Sequence, residues 1–177
     1  MLERVAGSGL EVRVIRGDDE LASLAPAWRA LHEADSGDVF NSWDWLAPWW
    51  RHLRQSSNGQ SQQLFVMLAT DRDGTVRGLM PLSLATVRLG LQRVRRLGFI
   101  GDSQVGSDYL DLLAEPGWRG AVIEAFAASL VRHAESWDII ELLDMDETSS
   151  SAGQLLDAMG PRYTGQMDKR LLCPGQD

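Results

Sequence analysis

The chain has 177 residues, enough for one domain with a real core, and is 44% apolar and 24% charged, as ordinary globular proteins are. A net charge of −8 argues against a nucleic-acid partner, because neutralising phosphates requires a basic face. The single Cys173 excludes an internal disulfide and a cysteine-based metal site; Met1–Glu11 lacks an apolar signal core and no window reaches spanning length, so the expectation is a cytoplasmic protein without membrane insertion.

Met1–Gly9 reads as a flexible start. Leu10–Arg16 alternates apolar and polar residues, the pattern of a half-exposed strand. Gly17-Asp18-Asp19 offers a helix N-cap with favourable negative charge, and Leu21, Leu24, Ala25, Trp28 and Leu31 form one apolar stripe. Pro26 lies inside that stripe, so the helix proper is expected from about Ala25, after a turn at Leu21–Leu24. Asp35–Asp38 reads as a loop. In Phe40–Leu53, Ser42 is the expected N-cap; Trp43, Leu46, Trp50 and Leu53 share one helical face, with Trp45 and Trp49 on another. Four of the seven tryptophans fall here. Either the helix is buried on two sides, or Trp45 and Trp49 form an aromatic wall for a substrate or a partner. Pro48 allows a bend or a restart.

After a polar linker, Leu64–Ala69 is a strongly apolar strand, Asp71–Gly74 a hairpin turn, and Val76–Thr86 the returning strand, in which Pro81 suggests a bulge or an unpaired donor. Val94–Ile100 is another strand. Arg88, Arg93, Arg95 and Arg96 form the one dense basic run, either a solvated strand edge or a contact for a small anion.

The stretch Ser107–Met145 carries the centre of the expected fold. Tyr109–Leu113 reads as a strand, Glu115-Pro116-Gly117 as a break, and Ile123, Phe126, Ala127 and Leu130 as a helix face. Asp138–Met145 is apolar on both faces, which implies a buried central strand of a parallel sheet and a right-handed strand–helix–strand crossover. Ligands of such a fold are met at the carboxyl ends of the strands, near Ala114–Gly120 or Asp144–Glu147. Ser149–Met159 reads as a short helix and Tyr163–Cys173 as a last strand or pair.

This element order resembles the GNAT acyltransferase superfamily. The phrases FNSWDWLAPWW (Phe40–Trp50), GLMPL (Gly78–Leu82), RRLGFIG (Arg95–Gly101), SDYLDLLAEPG (Ser107–Gly117) and DKRLLCP (Asp168–Pro174) are similar to the first half of the bacterial cellulose-biosynthesis-associated (CelD-like) acetyltransferases, with a link to exopolysaccharide metabolism. The resemblance implies a single α/β domain over residues 1–177, of three layers, with a mixed central sheet of about six or seven strands flanked by about four helices. It also implies acetyl-CoA or another acyl-CoA as cofactor, an amine or hydroxyl acceptor, and a second GNAT-like domain or a homodimer as partner. The chain stops near where the family's second, motif-bearing half would begin. The superfamily's cofactor loop, Q/R-x-x-G-x-G/A, corresponds to Gly117-Trp118-Arg119-Gly120 at the helix start. Val122 and Glu124, however, stand where glycines would let backbone amides approach a pyrophosphate.

Candidate general bases are Asp144, Asp146 and Glu147 at a strand end, with Asp108 and Asp111 nearby; an acidic helix-start loop accounts for the same residues. Asp108 and Tyr109, like Trp45 and Trp49, are candidate substrate contacts, against a reading as turn and core residues. Metal-ligand spacing is absent around His32, His52 and His133, and Ser149–Ser151 lacks the context of a serine nucleophile. Two functions follow: an acyltransferase domain that is not the cofactor half, or a catalytically silent module packing through its Trp-rich segment.

Overall fold

The structure, a computed structural model, describes residues 3–4, 9–35, 37–55, 62–102, 107–146 and 148–167. Within them one seven-stranded mixed sheet is flanked by five α-helices, so the expected α/β architecture is present with one helix more than anticipated. In chain order the elements are β1 (Glu3–Arg4), β2 (Glu11–Ile15), α1 (Asp18–Ser23), α2 (Ala25–Asp35), α3 (Trp43–Leu53), β3 (Gln63–Thr70), β4 (Val76–Leu89), β5 (Gln92–Phe99), β6 (Leu113–Ala114), α4 (Arg119–Arg132), β7 (Ile139–Ile140) and α5 (Ser151–Met159). β1 to β5 form an antiparallel series, β7 runs parallel to β5 at one edge, and β6 pairs with β4.

The helices between β2 and β3 form as their capping residues dictate. Gly17 caps α1 in an extended conformation, and three acidic residues occupy the first turn. Leu24 separates α1 from α2, so Pro26 falls in a first turn, where its missing N–H is harmless. The Ser42 hydroxyl accepts from the Trp45 N–H at 3.2 Å and starts α3. Pro48 does not break α3; it and Asp44, whose carbonyl loses a donor, both face solvent. Asp18 ties the two ends together, accepting from the Trp50 indole at 2.8 Å and from Arg54 at 2.6 Å.

Leu64–Ala69 of β3 are buried without interruption, so both faces of the sheet centre are covered. α4 covers one: Val122 lies where a side chain on Gly78 of β4 would stand. α2 packs against β4 and β6.

β4 is longer than either of its partners on one edge, and it takes two in succession. Leu82–Leu89 pair with β5, and Gly78 and Leu79 pair with β6, so β5 and β6 lie end to end along the same side. Pro81 sits at the fork between them, next to Leu82, and its carbonyl accepts from the Ile100 N–H at 2.8 Å. A strand residue's N–H and C=O point to one edge, so the donor that proline lacks would have faced the gap between two partners. The bulge expected at Pro81 lies instead at Arg77, left over between the Ala69–Gly78 and Thr70–Val76 pairs. Arg77 uses that position: its guanidinium pairs with Asp71 and Glu115 and lies 4.8 Å from the centre of the Trp118 ring. The sheet is thereby fastened to the turn that launches α4.

Three expectations are corrected. Tyr109–Leu112 is not strand; only Leu113–Ala114 is, because Tyr109 adopts φ 58° and the stretch finds its hydrogen bonds in loops rather than in a neighbouring strand. Asp138–Met145 is not a central strand. Two of its residues pair, at the sheet edge and half-buried, and β6 and β7 bond to different strands. Tyr163–Met167 forms no strand, and 168–177, with the Asp168–Pro174 phrase and Cys173, lies outside the described residues.

β7 is held by charge as well as by its ladder. Arg95 donates to both carboxylate oxygens of Asp138. That side-chain bond, with a second from the Arg95 backbone N–H, lowers the Asp138 pKa from 3.8 to about 2. A carboxylate with a depressed folded pKa stabilises the fold above its ordinary pKa and loses that contribution as the pH falls toward 2. Arg95→Gln is expected to move the Asp138 titration midpoint, followed by carboxyl-carbon NMR, back toward 3.8; a midpoint unchanged near 2 would reject the pairing.

Candidate functional site

A cleft of about 380 Å³ opens where α2, the loop before β6, the start of α4 and the start of α5 converge. Its size lies within the range of small-molecule sites. Gly117 makes the approach to α4 possible, at φ 84° in the turn closed by the Trp118 N–H to Glu115 carbonyl bond at 2.9 Å. Arg119 then opens the helix, and its side chain turns back into the cleft. It donates to Asp111 Oδ2 at 2.6 Å and to Ser151 Oγ at 2.8 Å, and it stands 3.4 Å from Asp35 Oδ1.

Asp111 is the hub. Its Oδ2 also accepts from the hydroxyls of Ser149 at 2.8 Å and Ser151 at 3.0 Å, and its Oδ1 from the Leu112 N–H at 2.7 Å. The buried Asn41 fixes the backbone around it, accepting from the Asp111 N–H at 2.9 Å and donating to the Tyr109 carbonyl at 2.7 Å. One side-chain amide thus replaces a strand partner for this segment. Leu110 N–H donates to the Asp144 carbonyl at 2.9 Å, and Asp144 at φ 59° and Tyr109, next to Leu110, at φ 58° are, among the described residues, the non-glycine residues in the left-handed region. Strained backbone gathered at one cleft is a mark of a functional site.

Among the described residues the lining bears four carboxylates, Asp35, Asp38, Asp111 and Asp146, against the one guanidinium of Arg119. It therefore draws cations and repels polyphosphates. The carboxylates differ in proton affinity. Burial pushes the Asp35 carboxyl up, with the charge of Arg119 opposing it. Asp146 goes the other way: hydrogen bonds from the Thr148 N–H and hydroxyl hold it below the usual range. Asp35 is thus the better proton acceptor of the two.

Of the residues expected from sequence, Arg119, Tyr109, Asp111 and Asp146 line this cleft. Asp144 is exposed beside it and contributes its carbonyl, Asp108 is exposed, and Glu147 lies outside the described residues. Trp118 is half-buried against Arg77. At Gly120 an added Cβ would meet nothing within 4 Å, so nothing in the packing there requires a glycine. Trp45 is half-buried, donating to Ser107 Oγ at 3.0 Å and edge-on to Phe40 at 5.1 Å, whereas Trp49 is only 3% exposed and belongs to the core. The two rings therefore form no exposed aromatic wall. Nothing local in the sequence singles out Asp35 or Asn41, and Ser149 and Ser151 stand out only as would-be nucleophiles; the Asp35–Asp38 loop is the one available signal, and it has the composition of a connection.

No protein-family model matches the chain, and no curated protein matches it. Solved structures do. The aminoglycoside antibiotic 6'-N-acetyltransferase AAC(6')-Ih from Acinetobacter baumannii is 15% identical with a TM-score of 0.47, the match covering 94% of this chain and 100% of that one. An integron cassette protein from the mobile metagenome of V. cholerae is 13% identical with a TM-score of 0.47 and 94% coverage of both chains. A transcriptional regulator from Bacillus halodurans C-125 is 12% identical with a TM-score of 0.46, covering 92% of this chain and 99% of that one. At these identities and scores the similarities assign no activity.

Proposed function

We propose that the chain is a GNAT-type acyltransferase domain that holds the acceptor, an amine or a hydroxyl compound, and is not the half that holds acyl-CoA. One observation carries this reading: at the first turn of α4, where an acyl-CoA pyrophosphate would need free amides and positive charge, Arg119 is bound to Asp111 and Asp35. Val122 adds a side chain to the same turn and Glu124, in the next turn of α4, adds negative charge, and the cleft beside it is lined by carboxylates. These residues do not fit a pyrophosphate. They do fit the ammonium or hydroxyl groups of a small acceptor, with Asp38 and Asp146 as hydrogen-bond acceptors and Asp35 positioned to take a proton from the attacking nitrogen or oxygen. The acyltransferase assignment itself rests on the element order and the family phrases, and acyl-CoA would then be bound by a second GNAT-like domain. An acceptor from exopolysaccharide chemistry rests on those phrases alone.

A catalytically silent module is the second reading, favoured by the same ion-paired Arg119, although the buried Trp49 gives it no support as a Trp-faced docking surface.

Calorimetric titration with acetyl-CoA and free CoA tests the division of labour. The expected result is no saturable heat up to millimolar ligand. Micromolar binding would overturn the non-cofactor assignment and move attention to Gly117–Gly120. Absence of labelled-acetyl transfer to any amine or hydroxyl acceptor when a CoA-binding partner domain is supplied would favour the silent module.

A further inference from the structure

A pocket of about 170 Å³ lies between α1 and α3, and its lining shares no residue with that of the cleft. Its origin is local. α1 contributes Ala22 and α3 contributes Ala47, and these small side chains leave a space that Leu21, Trp43 and Trp50 also line. Both tryptophans are pinned, so neither is free to turn in and fill it. Trp50 donates its indole N–H to Asp18 at 2.8 Å and has the Arg54 guanidinium 5.5 Å from its ring centre. Trp43 lies edge-on to Trp28, with ring centres 5.5 Å apart, and Trp28 is itself fixed by its indole N–H bond to the Asn41 carbonyl at 2.9 Å. The pocket is therefore preformed, which lowers the cost of occupying it.

Its charges are not balanced. Asp18 accepts from Arg54 through both oxygens, at 2.8 and 2.6 Å, so that pair is already satisfied. Arg51 also lines the pocket and is exposed, and among the described residues it makes no ion pair or hydrogen bond. One carboxylate (Asp18) against two guanidiniums (Arg51 and Arg54) leaves the lining at +1, in a chain at −8.

We propose that this pocket binds a small aromatic monocarboxylate, its ring between the helices against Trp43 and Trp50 and its carboxylate on Arg51. Size sets the body of the ligand, since a cavity of about 150 Å³ holds one benzene ring. Tryptophan walls favour an aromatic body, packed offset or edge-on. The head group follows from Arg51, whose planar fork matches a carboxylate. An organic cation would be repelled by the unpaired guanidinium, and a neutral ring would leave it unused. A polyphosphate would find one free charge and apolar walls. The inference is independent of the acyl-transfer reading.

Benzoate titrated into the full chain, followed by amide and indole N–H resonances in NMR, tests it. The expected result is saturable shifts centred on Trp43 and Trp50, with a dissociation constant of about a millimolar. Benzyl alcohol, similar in shape but uncharged, should bind about tenfold more weakly, and benzylamine more weakly still. Arg51→Gln should bring benzoate down to the level of the alcohol and leave the alcohol unchanged. Ala22→Leu, at an exposed position of α1, should fill the space and abolish binding of both, with the thermal midpoint as in the parent. No saturable shift at tens of millimolar benzoate, or equal affinity for the three ligands, would overturn the proposal. So would benzoate binding that either substitution leaves intact, or shifts centred on Tyr109 and Arg119 of the cleft.

Discussion

Gly78→Val is expected to lower the thermal unfolding midpoint by about 10 °C, corresponding to roughly 3–4 kcal/mol for a domain of this size. A Cβ at Gly78 would stand 2.3 Å from Val122 Cγ1 and 2.8 Å from Cγ2, inside contact distance. Neither side can yield easily. Gly78 is pinned in the ladder between Ala69 of β3 and Ala114 of β6, and Val122 is fully buried on α4. Overpacking of this kind is relieved only by moving a helix off the sheet. Gly78→Ala should lose less, and the double variant Gly78→Ala/Val122→Ala should unfold above the sum of the two single losses, because each change makes room for the other. Calorimetric scans of the four proteins check it; strictly additive losses would mean that the contact is not the reason for the glycine.

Arg119→Met is expected to destabilise the chain by about 1–3 kcal/mol at neutral pH, an allowance below the loss for a fully buried pair because the arginine side chain is 38% exposed. The substitution keeps most of the apolar stem and leaves Asp111 and Asp35 without their cation. The pH dependence separates charge from packing. The Asp35 pKa is already raised by burial, so its favourable, protonated state is present at low pH and its contribution is lost as the pH rises through the folded pKa. Removing Arg119 raises that pKa further. The difference in midpoint between parent and variant should therefore be largest at pH 7 and shrink toward pH 4, while Arg119→Lys should recover part of it. A difference that does not change with pH would assign Arg119 a packing role alone.

What the sequence disclosed and what it withheld divide along one line. Elements with their own periodicity are legible: β2, α2, α3 with its Ser42 cap, the β3–β4 hairpin, β5, α4 and α5; Asp18–Ser23, expected to run into a turn at Leu21–Leu24, is instead the short helix α1. The stretches misread were those whose state is decided by distant partners. Tyr109–Leu112 has the composition of a strand, but Asn41 and the Asp144 carbonyl supply its bonds from elsewhere in the chain. Leu142 and Met145 are apolar because they pack against the edge of the core, which in sequence looks the same as a strand buried on both faces. The cleft was half visible for the same reason. The helix start at Arg119 can be read from the break before it, but its carboxylate partner Asp35 is 84 residues away and its serine partner Ser151 is 32. No local pattern encodes that meeting, and the serines that looked like failed nucleophiles are donors to a carboxylate.

The fork in the sheet bears on how such a chain can diversify. The connection between Phe99 and Leu113 leaves β4 at one rung and returns a few rungs further along the same edge, so its two anchors are set by β4 rather than by its own length. Lengthening a loop with fixed ends adds little closure entropy, about 0.6 kcal/mol per doubling. Residues could be added to or removed from its middle with the ladder intact. Because Tyr109 and Asp111 stand on its returning arm, such changes would reshape the mouth of the cleft and the choice of what enters, while the scaffold that holds Arg119 stays as it is.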